Sequence, residues 1–198
     1  MTIPTFILLC GSKRSGKDTI ADYLSQKYNI KHYKISQKLK DCIKILFNID
    51  DNYYENNKEL PLETWNKSIR EFMQFIGTEM FQYKIQELLP DINKNFWIKS
   101  FLDNKFIYNN FVKNDNNIVI SDLRFLHEFN YIKKICKENN LNFIVIRVNN
   151  NNNNTEDLHI SEKEYTDISY HHYINNNTTF ENLYENIDQI MLKYTSKN

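Results

Sequence analysis

The segment Gly11-Ser-Lys-Arg-Ser-Gly16-Lys17-Asp18-Thr19 follows an apolar run and opens an amphipathic stretch. Two glycines at this spacing let the backbone curl so that successive N–H groups and the positive end of a following helix point at one anion. Lys17, directly after the second glycine, adds a mobile positive charge, so Gly11, Ser15, Gly16 and Lys17 read as a P-loop for the phosphates of a nucleotide. The next residue is Asp18, where the general pattern has a magnesium-binding Ser or Thr, and Thr19 comes one place later. A carboxylate is a hard oxygen ligand, which makes Asp18 the expected Mg2+ residue and leaves Thr19 to bond an ATP phosphate. The alternative for Asp18 is a charge that merely complements the helix dipole.

The second candidate constellation is Ile118-Val-Ile-Ser-Asp122-Leu-Arg124-Phe-Leu-His-Glu128. An Asp at the carboxyl end of a buried strand can stand beside the loop and hold magnesium through water, and an Arg two residues on can grip a phosphate with both prongs of its fork. Asp122 as the N-cap of the next helix, Arg124 as a solvated charge and Glu128 as an ordinary surface carboxylate are the competing readings.

These residues need strands and helices to place them. Residues 5–10 are continuously apolar and read as a buried strand, and Ile20, Tyr23, Leu24 and Tyr28 at helical spacing follow the loop. A short strand is expected at 32–35, then helical periodicity through Leu39, Ile43, Leu46 and Phe47. Pro61 is expected to open a helix running through 62–89, with Trp65, Ile69, Phe72 and Phe75 on one face and Pro90 as its stop. Phe96, Trp97 and Phe101 suggest a short helix. Strands at 118–121, 142–148 and 171–174 alternate with helices at 126–139 and 180–194, so the class is α/β. The polar stretch from the six asparagines Asn149–Asn154 to about residue 167 reads as a lid-like excursion.

With 198 residues the chain fits one domain. Lys plus Arg, 25, equals Asp plus Glu, 25, which argues against a basic nucleic-acid binder or a polybasic membrane protein. No apolar run is long enough to span a bilayer, and Cys10, Cys42 and Cys136 are expected as reduced, buried thiols in a cytoplasmic protein. The chain holds 30 Asn and 21 Lys against 3 Gly and 4 Arg, so each surviving Gly or Arg is expected to meet a specific geometric need.

Lys13-Arg-Ser-Gly-Lys-Asp-Thr19 with Ala21-Asp22, Arg70 with Gln74 and Gly77-Thr-Glu79, Phe96-Trp97, Asp122-Leu-Arg-Phe125 and His159-Ile-Ser-Glu162 together resemble the phage-type deoxynucleoside monophosphate kinases. The resemblance runs over about residues 5–195. It implies a three-layer α/β/α P-loop fold with a five-stranded parallel sheet, a nucleotide-binding region at about 36–112 inserted after the second strand, and a short lid at about 149–167. It further implies ATP and Mg2+ as cofactors and phosphoryl transfer to a deoxynucleoside monophosphate. No nucleic acid or membrane partner is expected, and a homodimer is compatible with the reading.

The same resemblance places Lys13 and Arg14 between acceptor and ATP, Lys40 on the substrate side, and Arg70 and Gln74 against the acceptor's phosphate and base. It also brings Glu128 near the deoxynucleotide and Asn175 to Thr178 past adenine. Lys40 and Gln74 as surface residues and Trp97 as core remain open alternatives. The lid stretch contains no arginine, so charge in the transition state falls to Arg14, Arg70, Arg124 or Arg147, with a strand-end ion pair as the alternative for Arg147. Two rival functions stand beside this one: a phosphomevalonate or dephospho-coenzyme A type of kinase, and a P-loop nucleotide switch.

Overall fold

In chain order the elements are β1 (Phe6–Cys10), α1 (Lys17–Tyr28), β2 (Lys31–Tyr33), α2 (Gln37–Phe47), α3 (Asp51–Asn57), β3 (Pro61–Leu62), β4 (Lys67–Ser68) and α4 (Ile69–Gln74). A π-helix at Phe75–Tyr83 follows, then α5 (Phe96–Phe101), α6 (Asn104–Ile107), β5 (Ile118–Leu123), α7 (Leu126–Glu138), β6 (Phe143–Asn149), β7 (His172–Asn175) and α8 (Phe180–Thr195). The structure, a computed structural model, describes residues 5–107, 109–110, 114, 116–150, 164–177 and 179–195. The chain divides into two units, Met1–Lys34 with Asn104–Asn198, and Ile35–Asp103.

The first unit is built on a parallel sheet in the order β2-β5-β1-β6-β7. β1 is central and buried along its whole length, which explains its unbroken apolar run. Alternation decides which residues face which layer. Ile7, Leu9, Val119, Ile144, Ile146 and Val148 pack with Ile20, Ala21 and Leu24 of α1 and with Leu183, Ile187, Ile190 and Met191 of α8. On the other face Phe143, in register with Phe6, meets the ring of Phe129 from α7 at 5.9 Å. Helices therefore cover both faces, giving the three-layer α/β/α arrangement. Each fully buried Leu or Ile contributes about 1.5–3 kcal/mol, so the sheet and its two helical layers hold one another in place.

β1 runs directly into the glycine-containing loop, with β5 on one flank and β6 on the other. Strand order reverses there, and loops at the carboxyl ends diverge to leave room for a ligand. α1 and α8 are further joined through Asp188. Its carboxylate accepts hydrogen bonds from Tyr23 at 3.0 Å and Tyr28 at 2.8 Å and pairs with Lys27 at 2.6 Å.

In the second unit the expected helix from Pro61 is corrected. Pro61 and Leu62 instead pair with Lys67 and Ser68 in a two-stranded hairpin, and the helix starts only at Ile69. Leu62 accepts backbone hydrogen bonds from Trp65 and Asn66, and Asn66 takes φ 49°, so a turn closes before any helix can propagate. Ser68 and Glu71 then form a reciprocal capping box that sets the helix start. Trp65, expected on a buried face, is 59% exposed. Cys42 is exposed as well, while Cys10 and Cys136 are buried as expected. Trp97 is core: its indole N–H donates to the Gly77 carbonyl at 2.9 Å and its ring packs on Phe81 and Phe96.

The asparagine bias has a structural outlet. Apart from Arg14, every described non-glycine residue with positive φ is an asparagine: Asn29, Asn48, Asn66, Asn93 and Asn140. Asn29 and Asn48 end α1 and α2 in the left-handed conformation that glycine usually supplies. A chain poor in glycine has given those positions to the residue that tolerates them next best.

Candidate active site

The loop after β1 uses its glycines for space as well as for dihedral freedom. Gly11 has φ 146°, and a Cβ there would collide with the Val148 carbonyl of β6; Gly16 has φ 98°, and a Cβ there would collide with the Asn176 amide. Arg14 sits at φ 60° on the exposed crest of the loop, and Ser15 donates its backbone N–H to Ser12 at 3.3 Å. Lys17 begins α1 yet is only 8% exposed. Its ammonium donates to the carbonyls of Gly11 at 2.9 Å and Ser12 at 2.5 Å and to the Ser15 hydroxyl at 3.2 Å, which holds the charge over the loop.

Asp18 projects from the first turn of α1 into a group of polar side chains from β2 and β5. Ser121 donates its hydroxyl to Asp18 Oδ1 at 2.6 Å, and Lys34 donates to Oδ2 at 2.8 Å. Burial alone would raise the Asp18 carboxyl, but these two hydrogen bonds outweigh it and hold the group below its ordinary value, as a carboxylate. Ser121 lies 103 residues along the chain from Asp18, immediately before Asp122. Thr19 is half-buried on the same turn.

Asp122 lies within β5, half-buried, and does not cap the next helix. The N-cap of α7 is Phe125, and Glu128 serves that helix end. Glu128 is 5% exposed, and its Oε2 accepts the backbone N–H groups of Arg124 at 3.3 Å and Phe125 at 3.2 Å. Burial, reinforced by the charge of Asp122, pushes the Glu128 carboxyl up to about 8 against those hydrogen bonds. The surface-carboxylate reading is therefore corrected: Glu128 braces the turn from which Arg124 projects, and Arg124 itself is half-buried.

At the other flank, Asn176 rather than Asn175 meets the loop. Its side-chain amide donates to the Ser15 carbonyl at 2.9 Å, whereas Asn175 accepts from Asn177 at 2.6 Å. Thr178, residues 151–163 of the expected lid and the segment His159–Glu162 lie outside the described residues. Arg147 is engaged by backbone. One of its guanidinium nitrogens donates to the carbonyls of Tyr165, Thr166 and Ile168, and the group stacks 4.4 Å from the Tyr170 ring centroid. These bonds clasp residues 165–168 to β6, and among the described residues Arg147 forms no ion pair.

Lys13 is half-buried in the loop. Lys40, Arg70 and Gln74 belong to the second unit. Lys40 pairs with Glu55 at 2.6 Å and lies over the Tyr54 ring at 4.6 Å. Arg70 and Gln74, both half-buried, fall four residues apart on one face of α4, and the Arg70 side chain lies 3.7 Å from Glu59. His32, Lys34 and Ser121 were not picked out by sequence reasoning, and Asn176 was picked out only as part of the Asn175–Thr178 stretch. Nothing in their local spacing marks them, because their partners arrive through β-sheet neighbours far apart in the chain.

Residues 5–67 and 48–187 match the deoxynucleotide monophosphate kinase family in two overlapping stretches. The chain belongs to that family. This deoxynucleotide monophosphate kinase family member is a phosphotransferase, a small-molecule kinase of the P-loop type. A protein of Acanthamoeba polyphaga mimivirus bearing the same family name is 29% identical over 186 residues, 90% of this chain and 92% of its own. Among solved structures, TT1252 from Thermus thermophilus is similar in fold with a TM-score of 0.50 at 12% identity, over 99% of this chain and 100% of its own. Shikimate kinase from Aquifex aeolicus gives a TM-score of 0.44 at 12% identity, over 98% and 99%. No helix among the described residues of the kinase is long and apolar enough to cross a membrane.

Proposed function

We propose that the protein transfers the γ-phosphoryl group of ATP to a deoxynucleoside 5′-monophosphate, giving ADP and the deoxynucleoside diphosphate. The observation that carries this reading is the loop after β1, with Lys17 held over it, at the sheet end where β5 presents Asp122 and Arg124. Family membership supports a deoxynucleotide as the acceptor.

Phosphoryl transfer needs little covalent help, since the acceptor phosphate is already anionic; positioning, charge neutralisation and exclusion of water lower the barrier. Lys17 follows the γ-phosphoryl group, and the loop amides hold the donor phosphates. Arg14 and Arg124 neutralise charge as it shifts from donor to acceptor. Lys13, Arg70, Gln74 and Lys40 serve the acceptor side, Glu128 acts through the backbone that positions Arg124, and Asn175 borders the donor's base. Asp18, held ionised, and Asp122 are hard oxygen donors of the kind that bind magnesium alongside substrate phosphates, so the residues present fit that ion. Bound there, magnesium would neutralise charge shared between the β and γ phosphates.

The test is ADP release measured with each of dTMP, dGMP, dCMP, dAMP and their ribonucleotide counterparts, beside dephospho-coenzyme A and phosphomevalonate. Stimulation by at least one deoxynucleotide far above acceptor-free hydrolysis is expected. Stimulation by none of the nucleotides refutes the reading.

A further inference from the structure

Asp18 ends a continuous hydrogen-bonded chain of four polar side chains from three elements. Asp22, one helical turn beyond Asp18 on α1, places Oδ1 3.0 Å from His32 Nδ1 on β2. His32 Nε2 lies 2.7 Å from the hydroxyl of Ser121 on β5, and that hydroxyl lies 2.6 Å from Asp18 Oδ1. A serine hydroxyl has a single proton. With that proton given to the carboxylate of Asp18, the Ser121 oxygen is left to accept from His32 Nε2, and the Asp22 carboxylate, which only accepts, takes the proton on Nδ1, so the chain is complete when both ring nitrogens carry protons.

We propose that His32 and Ser121 are positioning residues that hold the Asp18 carboxylate in the one orientation suited to magnesium-bound nucleotide. The proposal rests on the phosphoryl-transfer reading for the role of Asp18. Burial is the first reason. Ser121 is 1% exposed, in a strand otherwise apolar up to Asp122, and its hydroxyl is directed at an exposed side chain. Fold stability alone would be served as well by an apolar residue in that place.

Geometry is the second reason. An exposed aspartate ordinarily samples several rotamers, whereas Asp18 is gripped at Oδ1 by Ser121 and at Oδ2 by Lys34. Asp22, accepting from the His32 Nδ1–H, orients the ring that donates from Nε2 to Ser121, so the grip on Oδ1 extends through two residues. Partners that orient a metal-binding group in this way typically change metal affinity or activity by about 10- to 100-fold when removed.

The test uses the full chain with Ser121→Ala, His32→Gln and the conservative Ser121→Thr. ADP affinity is measured by calorimetry with Mg2+ and again with EDTA, alongside thermal melting. Wild type is expected to bind ADP more tightly with Mg2+. In Ser121→Ala and His32→Gln that magnesium-dependent gain should shrink about 10-fold while affinity in EDTA is unchanged, and Ser121→Thr should restore it. An equal loss with and without Mg2+, or an unaltered magnesium-dependent gain, overturns the proposal. His32 is partly exposed, so its variant carries the test even where the buried Ser121→Ala fails to fold. A wild type whose ADP affinity ignores Mg2+ overturns it too. Because binding is the readout, failure of the acceptor assignment shows separately, as magnesium-dependent ADP binding without transfer to any deoxynucleotide.

Discussion

Replacing Glu128 by glutamine should flatten a pH dependence that the wild-type fold carries. The carboxyl is raised from an ordinary 4.5 to about 8, first by burial and then by the charge of Asp122. Between those values the folded protein keeps a proton that the unfolded chain has released. The stabilisation is complete below 4.5 and is lost as pH rises through about 8. One pH unit across this window corresponds to at most about 1.4 kcal/mol, so from about pH 5 to about pH 8 the loss reaches roughly 3 kcal/mol. That is a large share of the roughly 5–15 kcal/mol by which a domain is stable. Glutamine is isosteric and its carbonyl still accepts from Arg124 and Phe125, but it carries no ionisable proton. Its extra buried N–H costs about 1–3 kcal/mol at every pH, which shifts the curve without tilting it. Urea denaturation of both proteins across this range gives the readout. Relative to wild type, the variant should gain about 3 kcal/mol between the two ends. Parallel stability curves would refute the reasoning, because they would mean that Glu128 titrates alike in the folded and unfolded chains.

Lys17→Ala should lower the rate of phosphoryl transfer by a factor on the order of 10² or more in a coupled ADP-release assay while the circular dichroism spectrum is kept; an unchanged rate would sink the P-loop assignment. Gly11→Ala should cost about 2–4 kcal/mol, since the new Cβ meets the Val148 backbone carbonyl and φ 146° disfavours a side chain. A melting temperature equal to wild type would contradict it. Asn48→Gly and Asn140→Gly should change stability by less than about 0.5 kcal/mol, whereas valine at either place should cost about 1–2 kcal/mol, measured by chemical denaturation. Arg147→Ala should speed amide hydrogen exchange at residues 165–168, where it clasps the Tyr165, Thr166 and Ile168 carbonyls, with little change in α8.

Much of the first unit was legible in the residues because its signals are local. β1 and β6 read as strands from unbroken apolar runs, α8 as a helix from Leu183, Ile187, Ile190 and Met191 on one face, and the loop from two glycines and a lysine. The second unit misled where local signals competed. Pro61 can open a helix, but the turn at Asn66 and the capping box of Ser68 and Glu71 moved the start to Ile69. Glu128 stood open between a place near the acceptor and a surface carboxylate, because helical spacing does not reveal that it is buried against the backbone of Arg124 and Phe125.

What the sequence by itself determined is the glycine-containing loop after β1. Chain reversal between a strand and a helix, glycine dihedrals and a lysine one residue into the helix are properties of consecutive residues, and they need no partner from afar. Tertiary structure alone decided how Asp18 is held. Its hydroxyl partner comes from β5 and its ammonium partner from the end of β2, and only parallel pairing of β2 with β5 brings His32 beside Ser121. Hydrogen bonds act over about 3 Å of space with no regard for separation along the chain, so this part of the site exists only once the sheet has formed.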